Sequence, residues 1–93
     1  MKTVTQTTIT GLVQDVKQPT ENNYLIQFVI KTIQEGEAVW LNATTSPWKG
    51  FHLKAGNEVT VTGQLTTQIW ENPFFGDVVA LEMDAREVKI LAA

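Results

Sequence analysis

The chain has 93 residues, with 10 acidic and 7 basic side chains and a formal charge of −3. No apolar run approaches the ~20 residues of a membrane-spanning helix, and Met1 to Gln6 lack the apolar stretch of a secretory signal. Cysteine is absent, which excludes disulfides and thiolate metal sites. The length predicts one small domain over 1–93, with the cytoplasm as its expected compartment and no membrane contact. A chain this short needs an efficient core or an oligomeric partner.

The sequence holds 13 Thr, 10 Val and 6 Ile but a single Ser and a single Arg. Side chains branched at Cβ are stiff at χ1 and fit a pleated sheet better than a helix, so the threonines are a strand signature. One arginine on an acidic chain argues against duplex DNA held mainly by charge.

In chain order, five strands are expected. The first runs roughly from Thr3 to Val16, with Gly11 as a bulge or bend. Pro19 to Asn23 is a turn cluster. The second strand covers roughly Tyr24 to Ile33, and Glu35-Gly36-Glu37 makes a short hairpin connection to the third, roughly Ala38 to Thr45. Ser46 to Ala55 is irregular, with room for a turn or two of helix. The fourth strand covers roughly Glu58 to Trp70, Glu71 to Asp77 is a loop tip, and the fifth strand covers roughly Asp77 to Leu91, with a break near Asp84-Ala85-Arg86. Leu81 to Leu91 also admits a helical reading, but its Val-Val-Ala-Leu-Glu-Met-Asp start alternates as a strand does. Five strands with one connection longer than a hairpin predict an all-β fold. The expected form is a five-stranded OB-fold Greek-key barrel with at most a short helix between strands three and four.

Alternation then sorts the side chains. On the fourth strand Val59, Val61, Gly63, Leu65, Thr67 and Ile69 share the core side, which leaves Trp70 with the polar set. On the third, Val39, Leu41 and Ala43 face the core and Trp40 does not. Tyr24 and Phe28 share a side with Ile26 and Ile30 and are expected in the core. Outward indoles mark a contact surface, and flat rings stack on nucleobases without regard to sequence. Trp40 and Trp70 are therefore the primary stacking candidates. Trp48 and the loop pair Phe74 and Phe75 are secondary, and Lys17, Lys31, Lys49, Lys54 and Arg86 are the candidate phosphate contacts. Bland readings stand beside these: Trp40 capping the barrel or filling a subunit interface, Trp70 packing on the loop phenylalanines, Trp48 plugging the barrel's end, and the lysines simply solvated.

The run from Leu53 to Trp70, with Lys54, Gly56, Val59, Val61, Gly63, Leu65, Thr67 and Trp70 in place, resembles the fourth-strand segment of the bacterial single-stranded DNA-binding protein family. Val78 to Met83 resembles that family's last strand, and Ala38 to Ala43 its third, which carries an outward tryptophan. The primosomal replication protein is a close relative with the same fold. The resemblance is specific from about Leu53 to Asp84. It implies that Trp40 and Trp70 stack on single-stranded bases, that Lys54 matches the family's basic turn residue, and that the chain forms a homo-oligomer, a dimer or tetramer, through its first strand. The implied partner is single-stranded DNA, or RNA, in replication, recombination or repair. Three departures stand out. Thr66, Thr67, Gln68 and Ile69 hold places where the family often carries Arg or Lys. The connection after strand three is short, and the family's acidic tail has no counterpart in these residues.

An enzyme is not expected. Ser46 and His52 are the only serine and histidine, and no elbow motif or spaced carboxylate orients them. Glu82 with Asp84, and Glu35 with Glu37, read as solvated charges rather than metal ligands. No phosphate-cradling glycine loop is present, so no cofactor and no metal are implied. The rival to nucleic-acid binding is an OB-fold interaction module whose aromatics anchor a protein partner.

Overall fold

The alternating Thr/Val/Ile stretches pair as strands because each can bury one face and leave a hydroxyl or charged face in water. In the computed structural model, which describes residues 2–74 and 76–92 (backbone alone for 2–5, 68, 70, 72 and 77–79), the elements follow in order. They are β1 (Lys2–Lys17), β2 (Ile26–Gln34), β3 (Glu37–Thr45), the short helix α1 (Pro47–Gly50), β4 (Glu58–Asn72) and β5 (Gly76–Ala92). The strands close in the order β1-β2-β3-β5-β4, with β3 and β5 parallel and the other neighbours antiparallel. This is the expected five-stranded OB-fold barrel with one turn of helix between β3 and β4. The helical alternative for Leu81 to Leu91 is not realised. β5 lies between β3 and β4 and pairs with both, and its Met83 and Ala85 are buried while Asp84 and Arg86 are exposed.

The core follows the alternation: Ile9 and Val13 from β1, Ile26, Phe28 and Ile30 from β2, Leu41 and Ala43 from β3, Val59 and Val61 from β4, and Met83 and Ala85 from β5. Leu53, beyond α1, plugs one end. Buried Thr45 ends β3 and donates its hydroxyl to the Ala85 carbonyl at 3.1 Å, so a polar group inside the barrel is paired. The β2–β3 hairpin turns through Glu35 (φ 52) and Gly36 (φ 81). Positive φ at both central residues belongs to the two-residue hairpin turn whose twist matches its strands.

Four sequence expectations are corrected. Tyr24 is not core: β2 starts only at Ile26, an Asx-type turn (Leu25 N–H donating to Asn23 Oδ1, 3.0 Å) precedes it, and the Tyr24 ring is 76% exposed. Trp48 does not plug the barrel: Leu53 fills that place, and Trp48, at the second residue of α1, is 75% exposed. The irregularity of β1 falls between Val13 and Asp15, not at Gly11. Val13 donates its N–H to Asn57 and accepts from Gly56, so the turn before β4 takes over its backbone groups. Ile69 has core parity but is exposed, because β3 pairs with β5 only over 41–44 and 81–84. From those rows toward the two hairpin turns, β2–β3 and β4–β5 continue as two arms, with β1 pairing there at Leu12↔Lys31 and Lys2↔Gln68.

The expected break in β5 is a bulge. Thr62 is opposite Glu87 and Gly63 opposite Ala85, so Arg86 is the additional residue. A Cβ at Gly63 would collide with the Asp84 carbonyl, and only glycine permits this approach of β4 to β5.

Candidate nucleic-acid interface

Register sets the outer face of the sheet in rows that cross the strands. In one row Lys17 is opposite Gln27, Gln27 opposite Thr44, Thr44 beside Asp84, and Asp84 opposite Gln64. In the next, Asp15, Val29, Asn42, Glu82 and Thr66 follow one another in the same way. A third joins Lys31 to Trp40. The first two rows line a groove of about 500 Å³, with Phe28, Ala43 and Met83 showing between them. From the Lys17 row to the Trp40 row is four residues along β3, or about 13 Å at the strand rise.

Trp40 stands one row outside this groove, two residues along β3 from Asn42. Its neighbours Leu41 and Ala43 are buried, which forces Trp40 outward, and its ring is 55% exposed. The Lys31 ammonium lies 5.7 Å from the ring centroid, within cation–π reach. An open ring with a cation beside it suits a base stacked on the indole and a phosphate near the lysine.

The groove between the lysines is acidic: Asp15, Glu82 and Asp84 line it against Lys17 alone. A phosphate ~5 Å from any of these carboxylates is disfavoured by roughly 1 kcal/mol even at the dielectric of water. Asp15 accepts the Val16 N–H at 3.0 Å. The Glu82 and Asp84 carboxylates have no hydrogen-bond or ionic partner among the described residues. The composition reading missed this arrangement. Glu82 and Asp84 share parity in the sequence, but Asp15 joins them only through the β1–β2–β3–β5 register.

The other candidates divide. Lys49 and Arg86 meet on the far side of the bulge, where Lys49 Nζ donates to the Arg86 carbonyl at 2.7 Å. With Glu87, Val88 and Lys89 they line a second, shallower depression. Trp48, next to Lys49 in α1, and Phe51, whose ring centroid is 3.7 Å from that of His52, are exposed rings in and just after the helix. Lys54 is apart from both regions. It sits in the turn that docks on Val13, with its N–H donating to Asn57 Oδ1 at 2.8 Å. Phe74 is in the β4–β5 turn and 86% exposed. The backbone of Trp70 pairs with Val78 on the β4–β5 arm; its ring, and the whole of Phe75, lie outside the described residues.

No protein-family model and no curated protein sequence matches this chain. Among solved structures it is similar to crystal structures of the mitochondrial single-stranded DNA-binding protein Rim1 of S. cerevisiae. One aligns with a TM-score of 0.72 at 17% identity, covering 97% of each chain. A selenomethionine form gives 0.72 at 18%, and a second crystal form gives 0.57 at 18% over 97% of this chain and 96% of that one. At such identities the likeness is one of fold, over nearly the whole of both chains.

Proposed function

We propose that this chain binds single-stranded DNA across the outer face of β2, β3 and β5. The observation that carries the reading is the Trp40 ring, more than half exposed beside the Lys31 ammonium, in the row next to a groove. The likeness in fold to Rim1, which is a single-stranded DNA-binding protein, supports it. Bases stack on Trp40, and Trp70 is the second stacking residue that the sequence offers. Lys31 and Lys17 take phosphates at the two ends of the groove. Arg86 is two residues past Asp84 on β5, so a strand leaving the groove there meets Arg86, Lys49 and the Trp48 ring; Phe74 and Lys54 are peripheral contacts. The role is to hold or coat single strands in replication, recombination or repair. Residues 2–9 of β1 pair with β4 on one edge and have no strand on the other among the described residues, an edge open to a second copy of the chain.

A second reading draws on the acidic groove: an OB-fold module that docks a protein, with Trp40 as its anchor. Titrating the protein with a labelled mixed-sequence oligonucleotide of about 30 nucleotides, at low and moderate salt, separates the two. Saturable binding with tryptophan quenching and a shallow salt slope is expected, because few phosphates are contacted. A folded sample that leaves the oligonucleotide free at low salt removes the nucleic-acid reading in favour of the second.

A further inference from the structure

We infer that the groove discriminates among bases, favouring those that carry an exocyclic amine (cytosine, adenine and guanine) over thymine and uracil. The inference rests on the proposed single-strand binding at Trp40 and names what the same site selects.

Glu82 lies between Asn42 and Thr66, and Asp84 between Thr44 and Gln64, all on the groove face. An ionised carboxylate only accepts hydrogen bonds, and these two are uncommitted among the described residues. They therefore act on a bound strand in two ways. They push phosphates out toward Lys31 and Lys17, which leaves base edges as the part of the strand that enters the groove. They also ask those edges for donors. Cytosine N4, adenine N6, and guanine N1 and N2 supply N–H groups, and the carboxylate–cytosine N4 contact is an established mode of base readout. Unstacked bases in a single strand expose these Watson–Crick edges freely. Thymine and uracil offer one N–H flanked by two carbonyls, so a carboxylate that reaches it also meets two repelling oxygens. Asn42 and Gln64 can donate to the acceptor beside each amine, but their amides serve every base and do not discriminate.

The test compares oligo-dC with oligo-dT of equal length, at slightly alkaline pH, by fluorescence anisotropy with the full chain. Wild type is expected to bind oligo-dC at least about five-fold more tightly, the lower end of discrimination by a well-placed base contact. In Glu82→Gln/Asp84→Asn the ratio is expected to fall toward one, mainly because oligo-dT binding tightens. Glu82→Gln alone, an isosteric change at an exposed site, is expected to move the ratio part of the way. Equal affinities in wild type, or a ratio unchanged in the variants, overturn the inference. If the affinities are equal and Trp40→Ala still weakens binding about five-fold or more, single-strand binding stands and only base selection fails. If a folded sample binds neither oligonucleotide, both fall together.

Discussion

The face that carries Trp40 and the face that carries Trp48 are built from the same residue types but differ in charge. Around the groove one lysine stands against three carboxylates. Across the β5 bulge, Lys49, Arg86 and Lys89 stand against Glu87 alone. Overall acidity, in a chain of charge −3, says nothing about where the cations gather. The lesson is that an exposed ring acquires its role from the row it sits in. Trp40 stands beside a groove and a cation, whereas Trp48 sits on one turn of helix and lines neither depression.

Gly63 joins the two regions, and changing it is expected to have the largest effect. Gly63→Ala forces a methyl group against the Asp84 backbone. It should lower stability by about 1–3 kcal/mol, the usual range for overpacking, and displace Asp84 and Arg86 together; denaturant unfolding reads the first effect. A wild-type midpoint would mean that the bulge is not rigid, and the division between the faces would weaken.

Replacing Trp40 with Ala should leave unfolding unchanged and cost roughly 1–3 kcal/mol of binding to single strands, the range for one stacking platform. Retained affinity in that variant would move the site away from the groove. Lys17→Gln and Lys31→Gln should each flatten the plot of log affinity against log salt by ~0.7, as expected for one phosphate contact on a single strand. A slope moved instead by Lys49→Gln and Arg86→Gln would shift the main phosphate path to the α1 side. The smallest effect is expected from Trp48→Ala, about twofold in affinity or less, because its ring has no built groove beside it. A loss matching that of Trp40→Ala would make the two faces equal partners.

Much of the barrel was legible in the sequence. The alternation through Val59 and Val61 and through Leu41 and Ala43 announced buried strand faces, and all four residues are core. The same alternation put Trp40 outside. It misled where a strand outran its core: Ile69 keeps inward parity on the β4–β5 arm but is exposed there. It also failed for Tyr24, because an Asx turn, rather than the apolar period, set the start of β2.

Spacing along the chain, with side chains alternating at every residue, was enough to determine the strands, their inner faces and the outward indole of Trp40. Only the closed pairing of β1 with β2, and of β3 with both β2 and β5, brought Asp15 beside Glu82 and separated Lys17 from Lys49. Charges scattered along a strand become neighbours through hydrogen-bond register across strands, and register between distant segments is a property of the barrel as a whole.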